Sequence, residues 1–295
     1  MPQFADGDFD PAAFRAYLAR AEELGFESAW SSEQVLGSAP LLGPIETMTY
    51  AAAVTERIRL GCSMHILPLY SPVHLAKSIA SLDQLSRGRL DIGLGVGGRF
   101  RMFSAFAVDP STLVARFNEQ LDLMEKLWTE EKIDFDGRFW QLKDAQMEPK
   151  PFQKPRPPIW FGGAAPDALR RAVRRGDGFF GAGSQTTAQF IEQVGVVREE
   201  MRKTGRTNFG IAKRVYITVD DDEDRARARM AEALDRLYGY FGIKVLEGAV
   251  FGTPQTCIRG LAAVRDAGAE VILLHTLFDE MAQMERLAAE IMPAL

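Results

Sequence analysis

A carboxylate follows one of the buried runs of the chain at a place suited to proton chemistry. Residues 26–31 read as a short strand, and Glu33 and Gln34 come directly after it. A carboxylate at the end of a strand can orient a substrate or accept a proton. The equally simple alternative is a solvated glutamate on the surface, so Glu33 is a candidate catalytic residue with that alternative left open.

A second candidate group lies on the next run, residues 58–64. Cys62, Ser63 and Met64 are followed by His65, which is a candidate base. A histidine in such a run is more often a packed or hydrogen-bonded residue, and the same holds for His275.

Glycines dominate the end of the fourth predicted strand. Residues 93–98 read GLGVGG and match the G-x-G-x-x-G pattern of dinucleotide sites. The next helix is predicted only near Ser111, whereas a Rossmann site needs a helix at once. Two other interpretations remain: glycines required by turns, or a bare strand end at Gly97 and Gly98 against which a flat ligand lies.

Small residues also follow two later strands. Gly162, Gly163 and Ala164 come after residues 158–161, and Gly183 and Ser184 come after residues 178–180. Free backbone N–H groups at such strand ends can hold a phosphate, as they do near the C-terminal face of barrels.

Composition excludes several classes of protein. The net charge of −5 over 295 residues, without a long basic run, argues against nucleic-acid or anionic-membrane partners. Cys62 and Cys257 form no CxxC pair, and three histidines without HExxH predict no metal site. Neither a signal peptide nor an apolar stretch of about 18 residues is evident, so a soluble cytoplasmic protein that acts on a small molecule is expected.

The elements that position these residues alternate between strand and helix. Seven short apolar runs separated by amphipathic helices predict an α/β fold with a parallel sheet. An open doubly wound sheet and a closed (β/α)8 barrel, which takes roughly 250 residues, both fit this alternation. Residues 133–157 and 220–250 interrupt it, the first as a hairpin with an extended connection. No linker marks a boundary, so a single domain over residues 1–295 is predicted.

Several of these segments together resemble the bacterial luciferase-like superfamily of flavin and deazaflavin oxidoreductases. The similarity covers nearly the whole chain, in the segments 22–30 (EELGFESAW), 55–61 (TERIRLG), 82–90 (LDQLSRGRL), 93–98, 157–163 (PPIWFGG) and 176–179 (GDGF). The resemblance implies a TIM barrel whose flavin binds at the C-terminal ends of the strands.

The resemblance also implies roles for particular residues. Ser63–Met64 matches the position of a non-proline cis peptide that backs the flavin ring. Gly162, Gly163, Ala164, Gly183 and Ser184 match the loops that hold the cofactor phosphate.

Three positions depart from the pattern of the relatives. Glu33 replaces an aspartate and Gln34 replaces a proton-handling histidine of many deazaflavin members, which puts histidine-based acid–base chemistry in doubt. Gly98 replaces a glutamate acid of sugar-phosphate-oxidising members, which disfavours that substrate class.

The start of the chain departs as well. Relatives begin with an additional strand, and the chain opens at Met1-Pro2-Gln3. The first barrel strand is therefore expected to be largely missing, through either a late start codon or a real truncation.

The expected function is that of an oxidoreductase or monooxygenase using reduced F420 or FMN on a small, largely apolar organic substrate. Glu33 and the register of the small-residue loops favour F420, as do Arg99 and Arg101, which are placed to meet its acidic tail. Residues 220–250 are a candidate lid, and a homodimer is expected. The alternatives are an NAD(P)-dependent reductase and a barrel that binds flavin without turnover.

Overall fold

The computed structural model describes residues 1–3, 8–37, 39–98 and 101–295, which divide into two compact units. The first consists mainly of Gln3–Glu22 and Phe26–Ile159, and the second mainly of Trp160–Leu295. Among the described helices, none is long and apolar enough to cross a membrane.

The first unit is a series of strand–helix repeats. Parallel pairing joins β1 to β2, β2 to β4 and β3 to β4. The elements are α1 (Pro11–Glu23), β1 (Ser28–Ser31), α2 (Pro44–Val54), β2 (Arg59–Cys62), β3 (His65–Ile66), α3 (Pro72–Leu85), β4 (Leu90–Gly95) and α4 (Leu113–Thr129).

Local sequence explains where these helices begin. Asp10 accepts hydrogen bonds from the amides of Ala12 and Ala13 at the start of α1. Proline occupies the first helical position of α2 and α3, where a missing N–H costs nothing. Buried apolar side chains on one side of each helix then face the strands, among them Leu18, Met48, Ile79 and Leu121.

The second unit continues the same alternation. Strand β9 pairs in parallel with β8, β10 and β11, and β8 pairs with β7. The elements are β7 (Ile159–Gly162), α5 (Pro166–Arg175), β8 (Gly178–Gly181), α6 (Thr187–Thr204), β9 (Gly210–Val219), α7 (Glu223–Tyr238), α8 (Gly242–Leu246), β10 (Val250–Gly252), α9 (Pro254–Asp266), β11 (Val271–His275) and α10 (Glu280–Arg286).

The two irregular segments have different structures. Within residues 133–157, β5 (Ile133–Asp136) and β6 (Gln141–Ala145) form the expected antiparallel hairpin. Within residues 220–250, α7 packs its buried Met230 and Leu234 against Tyr216 of β9. Phe241 and Ile243, which follow α7, are exposed, and the role of residues 220–250 as a lid stays a prediction.

Candidate active site

Glu33 lies just beyond β1 in the first unit, and its side chain is completely buried. One carboxylate oxygen accepts a hydrogen bond from the Ile66 amide at 2.8 Å, and the other accepts one from the Tyr70 hydroxyl at 3.0 Å. The side chain of Glu33 is 0% exposed, which excludes the alternative of a solvated surface glutamate. The carboxyl is instead a fixed internal group at the C-terminal edge of the sheet.

Burial controls the ionisation of this group. Desolvation raises the pKa of Glu33 to about 7, and the hydrogen bonds from Ile66 and Tyr70 oppose that rise without cancelling it. Desolvation together with the neighbouring Glu33 charge raises the pKa of Tyr70, which therefore remains a neutral donor. Its pKa therefore lies near physiological pH, where the carboxyl can hold or release a proton.

His65 lies beside this pair but is equally buried. Its Nδ1 is 3.7 Å from Glu33 Oε2 and 3.5 Å from the Tyr70 hydroxyl, and its side chain is 2% exposed. Burial lowers the pKa of His65 to about 4, so the imidazole is neutral at physiological pH. The structure thus places the two predicted catalytic residues together, with Tyr70 as a third member that sequence patterns did not indicate.

The peptide between Ser63 and Met64 is cis, as the resemblance predicted. It interrupts the run that was expected to be one strand, so that β2 ends at Cys62 and β3 begins at His65. Gly93 of β4 accommodates this bulge, because a Cβ there would lie 1.9 Å from the Cys62 carbonyl oxygen and 2.7 Å from Met64 Sδ.

Gly97 and Gly98 lie at the end of segment 93–98, beyond the glycine that accommodates the bulge. Gly97 has φ +82°, and a Cβ there would lie 2.7 Å from Ile66 Cγ2. The first α-helix after the run begins only at Leu113, so the segment lacks the helix of a Rossmann phosphate site. Gly98 is exposed, Arg99 lies outside the described residues, and the role of Gly97 and Gly98 in cofactor binding stays a prediction.

In the second unit, Gly162, Gly163 and Ala164 connect β7 to α5. Gly163 and Ala164 are exposed, and Ala165 provides no side-chain cap at the helix start. The first amides of α5 therefore have no capping side chain, which is compatible with an anion nearby.

Lys213 of β9 forms hydrogen bonds to the loop that contains Gly183 and Ser184. The Lys213 ammonium donates hydrogen bonds to the carbonyl oxygens of Ala182, Gln185 and Arg214, the last two at 3.0 Å. The residue is only 1% exposed, and burial lowers its pKa to about 7.

Beside the loop, β9 and β11 present a group of polar aromatic side chains. The Tyr216 and Tyr238 hydroxyls are 2.6 Å apart, and the His275 ring lies 5.0 Å from that of Tyr216. A Cβ on Gly183 would lie 2.9 Å from Tyr216 and 3.0 Å from Arg214 Nε. The loop can pack this closely against the two side chains because position 183 carries none.

Sequence reasoning missed Tyr70 and Lys213. Tyr70 follows the predicted strand within the segment ILPLYSP, and Lys213 interrupts an apolar run in β9. A lysine inside a buried strand is a detectable signal, because an isolated buried ammonium is costly and must be satisfied by nearby acceptors. In the described part of the chain, His, Cys, Asp and Glu form no cluster able to hold a metal ion.

A sequence model for luciferase-like monooxygenases matches residues 2–249. The chain belongs to the luciferase-like monooxygenase family. An F420-dependent glucose-6-phosphate dehydrogenase of Kineococcus radiotolerans is 30% identical over 230 residues, 75% of this chain and 67% of that protein. An FMNH2-dependent dimethylsulfone monooxygenase of Pseudomonas putida is 28% identical over 72% of this chain and 60% of its own length.

Two solved structures share the fold of this chain. The monooxygenase RslO1 of Streptomyces bottropensis superimposes with a TM-score of 0.84 at 26% identity, over 96% of this chain and 94% of that one. The F420-dependent tetrahydromethanopterin reductase of Methanopyrus kandleri gives a TM-score of 0.80 at 20% identity, over 97% and 96% of the two chains. These structures confirm the expected (β/α)8 fold class. The family match and the relatives confirm the expected enzyme class, a luciferase-like oxidoreductase or monooxygenase of the F420- or FMN-dependent kind.

Proposed function

We propose that this luciferase-like protein binds F420 or FMN against the Ser63–Met64 bulge and uses it on a small, largely apolar organic substrate. The observation that supports the proposal is the glycine end of β4, because Gly95 pairs with Ile66 of β3, whose amide donates to the buried Glu33–Tyr70 pair. When bound, the cofactor supplies hydride transfer or oxygen activation, and the chain supplies position and proton control.

The residues at the bulge fit a flat ring. A Cβ on Gly95 would lie 3.6 Å from Met64 Cβ, which is an ordinary van der Waals distance. Packing within the protein therefore does not require glycine at this position. Ser63 Oγ is buried, and no described residue gives it a hydrogen-bond partner. A bare strand face beside an unsatisfied hydroxyl is an arrangement that a ring with polar edge atoms would complete.

The second unit offers the groups for the cofactor phosphate. The amides of Gly162, Gly163 and Ala164, together with Gly183 and Ser184, are the proposed phosphate-binding residues. The uncapped start of α5 supports this assignment, as does the loop held by the Lys213 ammonium.

The chain's own acid–base group is Glu33. A carboxyl with a pKa of about 7 can hold a proton at neutral pH and release it through the hydrogen bond from Tyr70. His65, neutral and buried, contributes packing and polarity around that carboxyl, and its predicted role as a base is retained only as a proposal.

Between the two cofactors, F420 is the one that we favour. A carboxyl after β1 and the register of the small-residue loops resemble deazaflavin-dependent members, whereas Gln34 in place of a histidine does not. A homodimer in the cytoplasm and an exclusion of sugar phosphates, from Gly98, complete the proposal.

The test is a titration of the purified protein with FMN and with F420, with Gly95→Ala compared with the wild type. The new methyl group is tolerated by the protein but occupies the face proposed for the ring, so cofactor affinity should fall by about tenfold. Gly195→Ala, on the exposed side of α6 with no atom near its Cβ, is the control and should leave affinity unchanged. Equal affinity in Gly95→Ala and wild type would remove β4 from the site.

A further inference from the structure

A cleft of about 410 Å³ lies in the first unit between the N-terminal turns of α2 and α3 and the segment that follows β1. Its volume is at the lower end of the range for small-molecule sites. The apolar part of its walls is formed by Val35, Leu41, Leu42, Pro44, Ile45 and Leu75. The polar residues that also line it are Glu33, Gln34, Glu46, Tyr70, His74 and Ser78.

Apolar side chains beside the cleft remain accessible to solvent. Val35 is 47% exposed, and the adjacent Leu36 is 53% exposed. Large side chains exposed next to a concave surface gain from the binding of an apolar molecule, since each square ångström removed from water contributes about 25 cal/mol.

One polar group connects this cleft to the buried carboxyl. Tyr70 lines the cleft, is only half-buried, and donates its hydroxyl proton to Glu33 at 3.0 Å. Glu33 also lines the cleft, but its side chain is 0% exposed, so its carboxylate reaches a molecule there through Tyr70 rather than directly. His65 does not line the cleft, and its side chain is 2% exposed. The Tyr70 oxygen, which donates to Glu33, keeps a lone pair for another hydrogen bond.

We propose that this cleft binds the substrate, an apolar organic molecule with one hydroxyl or carbonyl oxygen, and that Tyr70 is the catalytic residue that contacts this oxygen. The inference deepens the proposed function and rests on it for the identity of the site as a substrate site. Glu33 is then a positioning residue and proton store that acts through Tyr70.

The proton movement balances with the bound cofactor as the hydride acceptor. Transfer of a ligand hydroxyl proton to the Tyr70 oxygen, together with transfer of the tyrosine proton to Glu33 Oε1, breaks two O–H bonds and forms two. An aliphatic hydroxyl holds its proton more tightly than a carboxyl with a pKa of about 7, so this transfer would accompany oxidation of the ligand carbon, for which the bound cofactor would supply the hydride acceptor. The ligand oxygen then becomes a neutral carbonyl, the proton remains on Glu33, and the raised pKa of Tyr70 keeps the tyrosine neutral.

The experiment measures binding of cyclohexanol to the purified protein by ligand-observed NMR. Tyr70→Phe removes only the hydroxyl and should weaken binding about 2- to 10-fold, the value of one neutral hydrogen bond. Leu42→Trp places a bulky side chain in the cleft and should abolish binding. Tyr50→Phe is the matched control, because Tyr50 lies on α2 outside the cleft and is 36% exposed, and its affinity should equal that of the wild type.

FMN and F420 titrations of the same variants separate this proposal from the proposed function. Cyclohexanol binding that depends on Tyr70 and Leu42, with normal cofactor affinity, supports the substrate cleft. Cofactor binding without cyclohexanol binding, or equal cyclohexanol affinity in Tyr70→Phe and wild type, overturns it. Cyclohexanol binding in a protein that binds neither cofactor would refute the proposed function while leaving the ligand cleft in place.

Discussion

Glu33 in the first unit and Lys213 in the second are both buried ionisable side chains, but the two groups differ in the partners that they leave available to a ligand. Glu33 in the first unit keeps one partner, Tyr70, that lines a cleft. Lys213 in the second unit directs hydrogen bonds to three backbone carbonyls and is 1% exposed. Burial brings both pKa values to about 7, from opposite directions.

This difference separates a group that can do chemistry from a group that holds structure. A perturbed pKa marks candidate functional sites, yet a buried lysine with every N–H group satisfied has no donor left for a ligand. The partner of the ionisable group, rather than its pKa, therefore favours Glu33 over Lys213 as the candidate for proton chemistry.

The largest effect on stability is expected from replacing Lys213, the residue of this comparison that holds structure. Lys213→Met leaves the carbonyls of Ala182 and Gln185 without their buried donor and should lower the free energy of unfolding by about 3–5 kcal/mol. Denaturant titration measures that loss, and hydrogen exchange should show weaker protection after β8. Lys203→Met, whose side chain is 61% exposed, is the control and should change stability by less than about 0.5 kcal/mol. A fully stable Lys213→Met protein would refute the structural role.

The second effect concerns the pH dependence of stability. Because the pKa of Glu33 rises from 4.5 to about 7 on folding, the native state binds more protons than the unfolded state between these values. Stability from this group is therefore present below about pH 4.5 and is lost as the pH rises to about 7.

Glu33→Gln removes this titration while keeping the shape of the side chain. Relative to the wild type, the variant should gain up to about 3 kcal/mol between pH 4.5 and 7, with no further change above. Unfolding curves of both proteins at a series of pH values give the difference directly. A difference that is independent of pH would mean that the carboxyl titrates normally.

Sequence patterns predicted most of the scaffold because its signals are local. Proline at the start of α3 and α9, with glycine after their ends, is a local signal for both helices. Helix α2 carries a weaker local signal, since Gly43 offers no side-chain cap and the segment PIETMTYAAAV lacks a strong polar face. The cis peptide at Ser63–Met64 was predicted only through the resemblance to relatives.

The site was less predictable because its members meet only in the folded chain. Glu33 and His65 were identified singly, but nothing local shows that the Ile66 amide and the Tyr70 hydroxyl converge on one carboxylate. Sequence therefore left open whether Glu33 was solvated, and only burial answered that question.

The most direct test is a pH titration of Glu33 itself, monitored by infrared difference spectroscopy between wild type and Glu33→Gln. The spectra should contain the carbonyl band of a protonated carboxylic acid that the variant lacks, and this band should disappear with a midpoint near pH 7. In Tyr70→Phe the midpoint should move higher, because the carboxylate loses its hydroxyl donor. A midpoint near 4.5, unchanged in Tyr70→Phe, would contradict the account of Glu33 as a buried proton store behind Tyr70.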